Sequence, residues 1–180
     1  MAGAAVEPTK IPRSLPVPDD FDAFWSGMKQ KLASVPVEPK LVSVKSPLPG
    51  VESFDVTAPA LGLQVSGYMA KPSGAKPKSL PIILTVHGAG VSDSSLGGSA
   101  NWASKGFLAM DMNAHGLPNG KPKQFYADLY AGPMNPYRYE FRNDREKAYF
   151  TGMMLRLIRG IDVLTSQPEW DGKHVVVSGA

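Results

Sequence analysis

The sequence predicts an α/β fold, a mostly parallel sheet with flanking helices, preceded by an N-terminal helix and antiparallel strands. Three observations carry this. Short apolar runs without polar alternation recur at residues 80–86, 106–110 and 174–177, the pattern of strands buried on both faces. Stretches of helical period stand between those runs, and strand, helix, strand, helix, strand is the order of a parallel sheet. Ahead of them lie three closely spaced extended segments broken by Pro and Gly, which is how antiparallel neighbours are written.

Taken in order, residues 1–18 read as an extended N-terminal arm, because prolines between Pro8 and Pro18 restrict φ and disfavour helix before them. Residues 19–180 read as a portion of one domain. Asp19 is expected to cap a helix whose stripe is Phe21, Phe24, Trp25, Met28 and Leu32, at offsets of one helical face, and Pro36 and Pro39 stop it. Strands are expected at 41–45, 51–57 and 63–71. The lysines at 71, 76 and 78 are interleaved with Pro72, Gly74 and Pro77 and read as a solvated loop. A helix over 95–105 follows. The segment holding Tyr126, Tyr130, Tyr137, Arg138, Tyr139, Phe141 and Arg142 reads as irregular; it suits sugar stacking, a subunit contact or plain coverage of the core. Phe150, Met153, Met154, Leu157, Ile158, Ile161 and Leu164 then mark a long amphipathic helix, leaving Arg145, Glu146, Lys147, Arg156 and Arg159 for its other face.

Composition removes several classes of function. The 180 residues contain no Cys, which excludes disulfide scaffolds, thiolate metal sites and cysteine nucleophiles. Nineteen Lys and Arg against sixteen Asp and Glu, a net charge of +3, are scattered rather than gathered into a stripe, so no nucleic-acid partner is expected. No apolar run approaches the roughly 18 residues of a membrane span, and no membrane partner is expected. The first eight residues lack the basic and apolar regions of a signal peptide. The three histidines, His87, His115 and His174, have no metal-ligand spacing, so neither metal nor other cofactor is expected.

The first chemically informative stretch is His87-Gly88-Ala89-Gly90, the turn after the buried run at 80–86. Glycines there let backbone N–H groups approach a ligand. A dinucleotide loop fails, because Asp93 stands where the third glycine of the fingerprint belongs and a carboxylate would repel a pyrophosphate. An oxyanion-hole loop and a purely structural tight turn remain. His87 is either a base or, more simply, a residue that orders the loop. At the far end, Gly179 and Ala180 match the first two positions of a G-x-S-x-G nucleophile elbow, whose serine sits at a sharp strand-to-helix turn. Ser178 has no glycine ahead of it and reads as strand-end structure; Asp111 and Asp144 read as turn or capping residues.

From about residue 16 to 180 the chain resembles the N-terminal half of the acetyl xylan esterase and cephalosporin-C deacetylase group, carbohydrate esterase family seven, within the α/β-hydrolase fold. The matching stretches are residues 20–25, 81–90, 106–111, the long helix through Ile161, and Trp170-Asp171-Gly172-Lys173-His174 running on to Gly179. The resemblance implies a serine esterase that removes acetyl groups from xylan-derived sugars or similar small acetyl esters. Ala89 would then supply one backbone N–H of the oxyanion hole, with His87, Gly88 and Gly90 forming its loop. The serine would follow Ala180, and the triad acid and histidine would lie beyond it. One departure is visible: the group's Arg-Gly-Gln is replaced by Asn113-Ala114-His115 before Gly116. Asn113 and His115 either line the site mouth or satisfy turn hydrogen bonds. Two expectations follow. The chain is part of a working esterase that continues past Ala180, with a homo-oligomer or a second chain completing the fold as its expected partner, or it is a catalytically silent half-domain that binds carbohydrate or a partner subunit.

Overall fold

The computed structural model describes residues 7–12, 15–62 and 64–179. A short 3-10 turn, Pro8–Lys10, lies near the start of the described residues, and helix α1 (Phe21–Ala33) begins the packed part of the chain. Strands β1 (Lys40–Val44), β2 (Val51–Ala58), β3 (Val65–Pro72) and β4 (Leu80–Val86) follow, then helix α2 (Leu96–Ala103) and strand β5 (Leu108–Met112). Helices α3 (Lys123–Ala131) and α4 (Tyr149–Thr165) precede the last strand, β6 (Trp170–Gly179).

All six strands form one sheet in the order β1-β2-β3-β5-β4-β6. The antiparallel strands do not form a separate layer ahead of the parallel ones. They extend the same sheet, because β3 pairs antiparallel with β5 (Met69 opposite Met110) while β4 lies parallel between β5 and β6. The described sheet is therefore mixed, with its parallel half confined to β5, β4 and β6. β4 occupies the interior of that half, which explains its uninterrupted apolar run: Ile82, Ile83 and Leu84 are all buried, whichever face they point to.

Successive residues of a strand point to opposite faces, and β3 shows both layers at once. Met69 joins the core formed with Val56, Ile82, Leu84, Leu108, Met110 and the α4 residues Val163 and Leu164. Ala70, its neighbour, packs with Ala100 and Ala103 of α2 on the other side. Helix α1 rests on α4 rather than on the sheet, through Met28 and Leu32 against Leu155.

Several sequence expectations are corrected at this level. The N-cap of α1 is Asp20, not Asp19, and its side chain makes no cap hydrogen bond. It instead pairs with Arg145 at 2.6 Å on an exposed surface, where such a pair contributes little. Ser95 precedes α2 as its N-cap, accepting from the Gly98 N–H at 2.9 Å. Lys71 belongs to β3 and is half-buried, its ammonium 2.6 Å from the largely buried Glu169 carboxylate, whereas Lys76 and Lys78 are exposed. Tyr126 and Tyr130 belong to helix α3, not to an irregular segment. That helix starts after Pro122 with no capping side chain, so no cap signal marks it in the sequence.

Arg156 and Arg159 do not lie on the outer face of α4. Both are buried, because their guanidinium groups find backbone carbonyls inside. Arg159 donates from one Nη2 to Leu32 O (2.6 Å) and Val35 O (2.9 Å), tying the end of α1 to α4. β6 runs longer than expected, from Trp170 to Gly179, and Val175, Val176 and Val177 are exposed in this chain. Among the described residues β6 pairs only with β4, which leaves its other flank open. The expected strand start at Leu63 lies outside the described residues.

Candidate functional site

Parallel strands bring the loops that follow them to one edge, and the register fixes which loops meet. Val86 pairs with Met112 on one side and with Gly179 on the other. The His87 loop, the Asn113 loop and the end of β6 therefore share the C-terminal edge of the sheet, where open α/β sheets bind ligands. Ala180, the second expected elbow position, lies outside the described residues.

The loop of residues 87–90 is held by side chains on both flanks of Ala89. His87 Nδ1–H donates to Gly88 O at 2.8 Å, and its Nε2 accepts from the Ala114 N–H at 3.4 Å. Both ring nitrogens thus contact backbone groups of the two loops, and His87 braces them together. A trans peptide holds its C=O and N–H in one plane and pointing in opposite directions, so fixing Gly88 O also fixes the direction of the Ala89 N–H. On the other flank, His115 Nε2–H donates to Gly90 O at 2.7 Å, and the Tyr137 hydroxyl accepts from the Gly90 N–H at 3.4 Å. Gly90 has φ +132, a conformation that a side chain would strain.

Asn113 extends the same bracing by one step. Its Nδ2 donates to Ser92 O at 2.8 Å, while its Oδ1 accepts from the His115 N–H (3.0 Å) and the Leu117 N–H (3.2 Å). It is 0% exposed, and its side chain satisfies turn hydrogen bonds, the second of the two alternatives raised for it. A short polar side chain between two loops satisfies more backbone groups by turning inward than by facing solvent. Arg156 completes the support, donating from Nε (3.1 Å) and Nη2 (2.7 Å) to Ala114 O.

A cleft of about 210 Å³ opens above this framework, lined by His87, Ala89, His115, Tyr137, Tyr149 and Met153 among others. A second cleft, of about 230 Å³, shares the wall of His115, Tyr137 and Tyr149 and reaches Met134 and Arg156. His115 packs edge-on against Tyr137, with ring centroids 4.7 Å apart. Burial lowers its pKa below the ordinary histidine value, opposed by the Gly90 hydrogen bond, so the neutral ring is favoured. Burial also pushes the Tyr149 hydroxyl up to about 12. The site therefore gathers the His115, Tyr137 and Tyr149 rings beside backbone amides, with the Arg156 guanidinium behind them.

Of the expected site residues, His87, Gly88, Ala89, Gly90 and His115 gather on one cleft, and Gly179 ends beside Val86. Tyr149 and Arg156 were not singled out by sequence reasoning. Their signal was positional, since Tyr149, Met153 and Arg156 share one face of α4 at offsets of four and three.

The family model described as Acetyl xylan esterase (AXE1) matches residues 10–180. The chain belongs to the acetyl xylan esterase family. Within it, the sequence is 31% identical over 169 residues to the acetyl esterase Axe7A of Xylanibacter ruminicola, covering 90% of this chain and 38% of that protein. The acetyl xylan esterase of Paenibacillus sp. R4 superposes with a TM-score of 0.74 at 24% identity, over 93% of this chain and 53% of that one. Acetyl xylan esterase 1 of Thermoanaerobacterium sp. JW/SL YS485 gives 0.70 at 19%, over 91% and 51%. These two likenesses show the α/β-hydrolase fold. The chain spans about half the length of these solved relatives and less of the curated one.

Proposed function

We propose that this chain forms the oxyanion-hole side of a serine esterase acting on acetyl esters of xylan-derived sugars or similar small molecules. The carrying observation is the braced loop around Ala89, at the sheet edge that the end of β6 also reaches. In this reading a serine on polypeptide following Ala180 attacks the acetyl carbonyl. The tetrahedral oxyanion is held by the Ala89 N–H and by the N–H of the residue after that serine. The sugar alcohol then leaves with a proton, and water hydrolyses the acetyl-enzyme to acetate. Each oxyanion donor lowers the barrier only if it is already aimed, and losing one costs about a hundred- to a thousand-fold in rate.

Membership of the family and likeness to a protein named an acetyl esterase support the substrate class. Residues 19–180 belong, on this reading, to a single domain that the further polypeptide completes. The test uses the full-length protein that contains this chain. It is expected to hydrolyse p-nitrophenyl acetate and acetylated xylo-oligosaccharides, and a fluorophosphonate is expected to label a serine directly after Ala180. Absence of hydrolysis, or labelling elsewhere with that serine replaced and activity intact, overturns the proposal and favours a silent binding domain.

A further inference from the structure

We infer that His115 is a positioning residue of the oxyanion hole, holding the loop around Ala89 through the Gly90 carbonyl; this rests on the esterase reading above. Two carbonyls of the loop are held, one before Ala89 and one a residue beyond it. Gly88 O is held by the His87 ring at 2.8 Å and Gly90 O by the His115 ring at 2.7 Å. The rings belong to two different loops, after β4 and after β5, with centroids 6.1 Å apart. The two held peptides, 88–89 and 90–91, bracket the 89–90 peptide, and the Ala89 N–H, which shares a rigid plane with Gly88 O, keeps its position only while the Gly90 end of the loop is anchored as well. Gly90 itself supplies no such restraint, since at φ +132 its own backbone is free of the usual steric limits.

His115 is suited to this task by what surrounds it. The residue is 4% exposed and its ring is wedged against Tyr137 (4.7 Å) and Tyr149 (5.2 Å), so the imidazole cannot swing away from Gly90. Its own backbone N–H is held by Asn113 Oδ1 at 3.0 Å. The preceding residue is held as well: Ala114 O accepts from Arg156 and Ala114 N–H donates to His87. Arg156, Asn113 and His115 thus form a relay from α4 and β5 to the loop. His115 touches the cleft but makes its contribution through Gly90, and a loop misplaced by about 1 Å can cost on the order of a hundred-fold in rate.

The experiment compares His115→Phe, His115→Gln and His115→Asn in the full-length protein. Phe keeps the ring against both tyrosines and removes the donor. Gln carries an N–H at a reach comparable to Nε2, and Asn is too short. The expected kcat for p-nitrophenyl acetate falls about 10- to 100-fold in the Phe and Asn variants, with KM within about twofold, and recovers most of the loss in Gln. Amide exchange across residues 89–91 is expected to quicken in Phe and Asn and to slow again in Gln. A Phe variant with kcat within about twofold of wild type, or a Gln variant no better than Asn, overturns the inference; the Gln and Asn pair decides it if Phe does not fold. A wild-type protein without acetyl esterase activity overturns the esterase reading instead, and the inferred catalytic role with it, while the exchange arm still reads whether the clamp exists.

Discussion

Asp111, near the end of β5, joins the sheet to the start of α2 and offers a sharp test of how the site is supported. Its Oδ1 accepts from the Ser95 N–H at 2.6 Å and its Oδ2 from the Thr85 hydroxyl at 2.7 Å. Ser95 caps α2, which packs Ala100 and Ala103 against Ala70 of β3, so one carboxylate ties β4, β5 and α2 together. In Asp111→Ala both donors lose their acceptor, and hydrogen bonds to charged groups contribute about 1.5–3 kcal/mol each. Thr85 can turn its hydroxyl toward Met110 O, 3.4 Å away, which recovers part of one bond. The net cost worked this way is about 2–4 kcal/mol, a large share of a stability of about 5–15. Asp111→Asn keeps the shape: its oxygen can face Ser95 while its amide donates to Thr85 Oγ1, so the cost falls to about 1 kcal/mol. Urea unfolding of the full-length protein, with Thr85→Ala and the double variants added, measures both values and their coupling. An Ala variant within about 1 kcal/mol of wild type, or an Asn variant as damaging as Ala, refutes the reasoning.

Gly116→Ala should be strongly destabilising, by about 2 kcal/mol or more, because φ is +70 there and an added Cβ would overlap the Gln64 carbonyl oxygen; a thermal midpoint unchanged from wild type would contradict this. Asp171, at the start of β6, is held at about 2 by the His174 N–H first and then by the His174 ring, below its ordinary 3.8. Its folded value is depressed, so its contribution is present above 3.8 and is lost as pH falls through about 2. Carboxyl chemical shifts followed by NMR check this, and a midpoint near the ordinary value would count against it.

What was legible in the sequence was whatever depends on local periodicity. The stripe from Phe150 to Leu164 marked α4 because a helix that covers a sheet must keep one apolar face. β4 was legible because a strand between two neighbours, with helices on both faces, has no use for polar residues. Arg156 and Arg159 were misread for the complementary reason: charge predicts exposure unless partners exist, and theirs are carbonyls of Ala114, Leu32 and Val35, remote in the chain. β6 was legible as a strand, though its first residues, 170–173, were not, since they carry no apolar run.

By itself, then, the sequence determined the α/β class, the strand-then-glycine turn that forms the loop around Ala89, and the family resemblance, all of which are written in contiguous residues. Only the tertiary structure decided that β3 joins the parallel half through β5, that Asn113 turns inward, and that His115 reaches Gly90 across 25 positions of chain. The physical reason is register. Val86 opposite Met112 sets which residues of two separate loops stand within hydrogen-bond distance, and strand register is a property of the packed sheet, not of either strand alone.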